Sequence, residues 1–217
     1  MKRILASSLL VLAGIAVVGV PAARGSDEKP GLMDPTTQAP GLKVGEKAPS
    51  VTLRDVEGRD VDLGALYGAG PVVVTFYRGG WCPFCTKALK DWEGKIDELR
   101  AAGGTFVAIS PETPQHASKT MTEHSPSLVV LSDMEGAAGK AFRVAFEMPE
   151  DLQKTYKGYG VDLTDRNASG KWELPAPATF VIGKDGVVRW AFADWDYKKR
   201  ANPDEVIEAV QSLGSAH

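Results

Sequence analysis

Two runs of β-branched and apolar residues constrain this chain most. Pro71-Val72-Val73-Val74-Thr75-Phe76-Tyr77 and Thr105-Phe106-Val107-Ala108-Ile109-Ser110 each read as a strand buried on both faces. Between them, after Cys85, apolar residues recur at Leu89, Trp92, Ile96 and Leu99. Those spacings of three and four place them along one face of a helix ending near Ala102-Gly103-Gly104. A strand, a helix and a strand joined by so long a connection imply a parallel βαβ unit with a right-handed crossover. The centre of the chain is therefore α/β.

Shorter elements surround that unit. Val51-Thr52-Leu53 and Val61-Asp62-Leu63 flank the turn residues Glu57-Gly58-Arg59 and predict an N-terminal hairpin. A helix is expected from Pro114 to His124, a strand from Leu128 to Leu131, and a helical stretch from Ala137 to Phe146. Residues 149–174 have the weakest pattern, with a helix expected from Glu150 to Tyr156 and a polar loop from Asp165 to Gly170. Ala178 to Ile182 and Val187 to Phe192, joined by Gly183-Lys184-Asp185-Gly186, predict a second hairpin. Pro203 to Leu213 closes the chain as an amphipathic helix with Val206, Ile207, Val210 and Leu213 on its buried side.

The N-terminus follows different rules. Lys2 and Arg3 precede an apolar stretch from Ile4 to Val20 and a small-residue segment, Pro21-Ala22-Ala23-Arg24-Gly25, so residues 1–25 read as a secretory signal peptide cleaved after Ala22 or Gly25. An uncleaved membrane anchor is the alternative, because the apolar stretch is borderline in length for crossing a bilayer. Residues 26–41 are rich in Pro, Gly and polar side chains without an apolar period and read as a flexible linker, which leaves residues 42–217 as one domain. With 43% apolar and 24% charged residues and a net charge of −3, the whole chain has an ordinary soluble composition and no basic footprint for nucleic acid. No stable membrane association is expected once the leader is removed. Export to the periplasm or beyond would place the cysteines in an oxidising compartment, where either a structural or a redox disulfide can persist.

The only two cysteines, Cys82 and Cys85, lie in FYRGGWCPFCT, residues 76–86. A zinc site would need two further ligands; no other cysteine exists, and His116 and His124, read here as solvated, are remote. A structural clip across so short a loop would remove little chain entropy. A redox pair gains from the same shortness, since the second thiol can close on an oxidised first sulfur without large movement. The order strand, Cys82-Pro83-Phe84-Cys85, helix also puts both sulfurs at a helix N-terminus, which favours the thiolate. Arg78 can stabilise that thiolate or hold a substrate oxygen, and it can equally be a surface arginine paired with a carboxylate. Trp81 is either a rim aromatic that shields or presents Cys82, or a packing residue.

Phe76 to Cys85, Leu174 to Ile182, and Asp194-Trp195-Asp196-Tyr197 with Arg200 together resemble the thioredoxin-fold superfamily. The nearer similarity is to its peroxiredoxin-like branch, the alkyl hydroperoxide reductase and thiol-specific antioxidant (AhpC/TSA) family. The resemblance implies a three-layer thioredoxin-like fold, with a central mixed β-sheet flanked by helices, an N-terminal hairpin extension and a helical insertion. It implies an antioxidant thiol oxidoreductase that reduces hydroperoxides through a Cys82/Cys85 redox disulfide, without cofactor or metal. Its partners would be the hydroperoxide and an external thiol reductant, either a thioredoxin-like protein or a low-molecular-weight thiol.

Two alignments divide the roles. Matched to a peroxiredoxin, Cys85 takes the attacking position, Cys82 replaces a threonine and Arg78 replaces a proline. Matched to a thioredoxin, Cys82 attacks and Cys85 resolves. Pro177 stands where the typical peroxiredoxin has an activating arginine, and the thioredoxin pattern implies a cis peptide there, facing the cysteines. Arg78, Trp81, Pro177 and Thr179 are accordingly the implied substrate-binding or activating residues. A disulfide reductase acting on proteins is the alternative activity, and a binding module with a static disulfide the alternative of another class.

Overall fold

A hairpin, β1 (Thr52–Asp55) and β2 (Asp60–Asp62), opens the regular structure of a computed structural model that describes residues 31–214. The expected leader, residues 1–25, lies outside the described residues. So does the start of the expected linker. From residue 31 onward that segment lies against the domain and is not a free tether: Met33 N–H donates to the Ala145 carbonyl at 2.7 Å and Gly41 N–H to that of Arg143 at 2.7 Å. The Trp195 indole N–H reaches the Gln38 carbonyl at 2.7 Å. Sequence pattern misses such docking because backbone carbonyls, rather than an apolar stripe, make the contacts.

Where strand was expected to continue at Leu63, α1 (Leu63–Ala69) begins, capped by the Asp62 carboxylate on the Gly64 and Ala65 amides. β3 (Val72–Phe76) follows, buried throughout. The single long helix expected after it is two, α2 (Pro83–Glu93) and α3 (Ile96–Ala101), separated at Gly94-Lys95. The apolar spacing runs across the break unchanged, so Leu89, Trp92, Ile96 and Leu99 still share one buried side. β4 (Thr105–Ser110) completes the unit and pairs parallel with β3, with Val74 opposite Val107.

Next come α4 (Pro114–His124), begun by the Thr113 cap and Pro114, and β5 (Val129–Ser132). The helical stretch expected to reach Phe146 stops early: α5 (Ala137–Ala141) ends before Arg143, whose φ of 58° leaves the helical region, and β6 (Ala145–Glu147) follows. α6 (Glu150–Gly158), α7 (Leu163–Arg166) and β7 (Glu173–Pro175) form the insertion, in which β7 pairs with β6. β8 (Ala178–Ile182), β9 (Val188–Ala193) and α8 (Pro203–Gly214) close the fold as expected.

The main sheet has the order β2-β1-β5-β4-β3-β8-β9. Its β3, β4 and β5 are parallel, and β8 runs antiparallel against β3. Alternation along β3 divides the core between the two faces. Val72, Val74 and Phe76 pack with Phe142 and Phe180 on one side; Val73 and Tyr77 pack with Cys82, Cys85, Leu89 and Val206 on the other. The cysteines are thus part of a helix-covered core layer at the carboxyl end of the central strands. This mixed sheet flanked by helices is the thioredoxin-type arrangement.

Candidate active site

Chain geometry between β3 and α2 places the first sulfur. Gly79 has a φ of 147°, and a Cβ there would lie 2.3 Å from Trp81 Nε1 and 2.8 Å from Glu112 Cδ. A Cβ on Gly80 would meet Thr120 Oγ1 at 2.0 Å. Only glycines therefore let the chain pass this narrow point. Cys82 N–H then bonds the Gly79 carbonyl at 3.2 Å, and Cys82 becomes the extended N-cap of α2 with Pro83 in the first turn. One turn on, the amides of Cys85 and Thr86 bond the Cys82 carbonyl at 2.9 and 3.0 Å. Both thiols are free and buried; the pair is held here as the dithiol.

Each sulfur has its own guanidinium. Arg78, buried at 5% exposure, points Nη2 at Cys82 Sγ over 3.0 Å and Nη1 at Tyr156 Oη over 3.1 Å. Its guanidinium carbon lies 4.3 Å from the Tyr197 ring centre and 5.2 Å from that of Trp81. Arg78 is therefore buried against Cys82 and is not a surface arginine paired with a carboxylate. Arg200, from the segment between β9 and α8, places Nη2 3.2 Å from Cys85 Sγ. Its Nη1 is fixed by the Tyr197 and Lys199 carbonyls, each at 2.6 Å.

The two thiols are pushed apart in acidity. A hydrogen bond from the Cys85 thiol, together with the charge and hydrogen bond of Arg78, holds Cys82 well below the ordinary thiol range against the opposing effect of burial. Burial raises Cys85 far above that range, the adjacent Cys82 reinforces the rise, and Arg200 opposes it. The arrangement is a thiolate beside a protonated partner, which is what a nucleophile and its resolving thiol require.

Aromatic rings cover the pair. Trp81 packs edge-on to Tyr156 of α6, with ring centres 5.6 Å apart, and Phe84 packs edge-on to Tyr197 at 5.5 Å. Trp81 is both rim and packing residue. Behind the Gly79-Gly80 turn, buried Glu112 accepts the Gly80 amide at 2.9 Å. Its carboxyl is raised in pKa by burial, with the Gly80 amide and Arg166 pulling the other way. Gly80, Trp81, Glu112, His116 and Arg166 line a groove of about 320 Å³ at this edge. No group of three or more His, Cys, Asp or Glu side chains is placed to hold a metal among the described residues.

The remaining implied residues, Pro177 and Thr179, lie at and just before β8, alongside β3. The peptide before Pro177 is trans, as are all those of the described residues, which corrects the expected cis bond. Pro175 pairs with Ala145, Ala176 N–H bonds the Val144 carbonyl at 2.8 Å, and Ala178 pairs with Phe76. The extended path is thus held on both sides of Pro177, with no reversal for a cis bond to make. The Thr179 hydroxyl is engaged by Thr75 at 2.8 Å within the sheet.

Sequence reading missed Tyr156 and Glu112 and assigned no role to Arg200 or Tyr197. Arg200 belonged to a family-like pattern, so a signal existed without a function. Tyr156 and Glu112 had none, since they reach the site through tertiary folding.

The profile of the AhpC/TSA family matches residues 44–191. Peroxiredoxin Q of Sedum lineare chloroplasts is 28% identical over 169 residues, covering 78% of each chain. The peroxiredoxin Q of Populus jackii is 28% identical over 172 residues, covering 79% of this chain and 70% of its own. Among solved structures, a peroxidoxin of Mycobacterium tuberculosis superposes with a TM-score of 0.62 at 22% identity, covering 81% of this chain and 99% of its own. A reduced peroxiredoxin of Vibrio vulnificus, solved with hydrogen peroxide, superposes at 0.63 with 16% identity, covering 78% and 99%. These structures support the fold, and the sequence profile places both cysteines and Arg78 within the matched region. The chain belongs to the AhpC/TSA family, on a thioredoxin-type fold.

Proposed function

We propose that this protein is a thiol peroxidase in which Cys82 attacks and Cys85 resolves. The Cys82 thiolate attacks the terminal oxygen of a hydroperoxide; an S–O bond forms, the O–O bond breaks, and the departing alkoxide or hydroxide takes a proton from solvent. The Cys85 sulfur then attacks the Cys82 sulfenic acid, forming the disulfide as water leaves. An external thiol donor returns both cysteines to the dithiol.

The single observation that carries this assignment is Arg78 Nη2 at 3.0 Å from Cys82 Sγ. An adjacent cation holds the thiolate, and the same guanidinium face can stabilise charge developing on the peroxide oxygens. The relatives named peroxiredoxin, and the Vibrio vulnificus structure solved with hydrogen peroxide, support the choice of substrate. A protein disulfide is the alternative substrate, attacked by the same sulfur. The leader-like sequence of residues 1–25 supports export of the enzyme.

Stopped-flow Trp fluorescence of the reduced protein, mixed with hydrogen peroxide or an organic hydroperoxide, tests the reading. A second-order signal lost in Cys82→Ser, with sulfenic acid accumulating in Cys85→Ser, is expected. Rates no better than a free thiol's, alongside fast reduction of a protein disulfide, would replace it with a disulfide reductase. Sulfenic acid on Cys85 with Cys82 unoxidised would reverse the two roles.

A further inference from the structure

We infer that Arg200 is the positioning residue of the second step, holding the Cys85 sulfur and stabilising the negative charge that develops on it as its proton departs, ahead of attack on oxidised Cys82. The inference rests on the proposed order of attack.

Cys85 needs such a partner. Its sulfur sits in an apolar layer with Val73, Leu89, Val181 and Val206, where a thiolate is poorly solvated. Resolution nevertheless requires it to act as a nucleophile. Arg78 cannot serve both steps equally, because its Nη2 is engaged by Cys82 and its Nη1 by Tyr156. Arg200 reaches Cys85 from the segment after β9, with Nη2 at 3.2 Å. Two backbone carbonyls, those of Tyr197 and Lys199, fix its Nη1. A guanidinium held in this way needs no reorganisation when charge appears on the sulfur.

The step balances without a further reactant. The Cys85 sulfur attacks the sulfur of the Cys82 sulfenic acid; an S–S bond forms and the S–O bond breaks. The Cys85 proton leaves with the hydroxide as water. Cys85 is oxidised and the sulfenic acid reduced. With a mixed disulfide at Cys82 the same attack expels the partner thiolate, which takes the proton. Arg200 assists the same atom in both routes.

The test uses the full chain as wild type, Arg200→Gln and Arg200→Lys, with two oxidants. In the first arm, a single pulse of hydrogen peroxide is followed by quenching and mass spectrometry, separating attack from closure of the disulfide. In the second arm, glutathione disulfide replaces peroxide, and the glutathione adduct on Cys82 is followed until Cys85 displaces it. The expected result in Arg200→Gln is a fall of about tenfold in closure relative to attack, with the Cys82 adduct accumulating. Arg200→Lys, which keeps a cation able to reach the sulfur, should restore most of the closure rate; a loss of packing alone would leave both variants alike.

Equal closure in wild type and Arg200→Gln in either arm overturns the role of Arg200. Slow closure in both variants, with no recovery in lysine, also overturns it. Failure of wild type to react with peroxide would sink the peroxidase reading alone, because the glutathione arm still measures displacement by Cys85. An adduct forming on Cys85 instead of Cys82 would overturn the order of attack and this inference with it.

Discussion

Arg78 and Cys82 are four residues apart in sequence, and the guanidinium Nη2 of the one lies 3.0 Å from the sulfur of the other. A charge-assisted hydrogen bond in a buried setting contributes about 1.5–3 kcal/mol. Arg78→Gln should therefore slow the attack phase with hydroperoxide by roughly ten- to a hundredfold, measured by stopped flow. An unchanged rate would mean that the helix N-terminus and the Cys85 thiol suffice.

The same contact sets a pH dependence. Cys82 is held as thiolate, so its rate with iodoacetamide should stay flat across neutral pH and fall only in acid well below the ordinary thiol range; Arg78→Gln should move that fall upward. A depressed thiol also contributes to folding stability above the unfolded thiol's pKa of about 8.5, and that contribution fades as pH drops toward the folded value. A wild-type midpoint near 8.5 would contradict both expectations.

Thr75 and Thr179 share one buried hydrogen bond across β3 and β8. Thr179→Val leaves the Thr75 hydroxyl without its partner, at a cost of about 1–3 kcal/mol. Replacing both with valine should recover much of that loss. Urea unfolding of the two single variants and the double closes the cycle, and additive losses would show that the hydroxyls do not support each other.

Much of this architecture could be read from residues alone. β3 and β4 carry uninterrupted apolar runs, α4 is marked by Thr113-Pro114, and the β8-β9 hairpin by Gly183 to Gly186, so local chemistry and final structure agree. α1 was hidden because Gly64 and Gly68 dilute its pattern, leaving Leu63 and Tyr67 as its buried residues. The break at Gly94 was hidden because apolar spacing continues through it. At the site, Arg78 and the cysteines are neighbours in sequence and were legible, although their order of attack was not. Arg200 lies 115 residues from Cys85, and no local pattern encodes a contact at that separation.

Gly79→Ala should be strongly destabilising, by roughly 2–4 kcal/mol. The backbone there is left-handed and the new Cβ would collide with Trp81 and Glu112. Thermal unfolding measures the loss. A stable variant with Trp81 in its native environment by near-UV circular dichroism would show that the turn relaxes.

Glu112 offers a test of opposite sign to Cys82. Burial raises its carboxyl pKa, so its contribution to folding is fullest below the unfolded value of about 4.3 and is lost as pH rises through the folded one. Glu112→Gln keeps an oxygen for the Gly80 amide and removes the buried charge. Its stability relative to wild type should therefore rise as pH is raised from about 4 through the folded pKa, read by urea unfolding. A difference independent of pH would mean that Gly80 and Arg166 compensate the charge fully.

Cys85 sits one helical turn from Cys82, near enough to hydrogen-bond its sulfur. Disulfide closure is then a first-order event that needs no unwinding of α2, whereas over-oxidation of the sulfenic acid requires a second peroxide molecule to arrive. The outcome is a race between a fixed intramolecular clock and a concentration-dependent competitor. Sulfinic acid on Cys82 should consequently remain a minor product until peroxide is supplied at levels far above those needed for turnover, giving an enzyme that tolerates bursts of its own substrate.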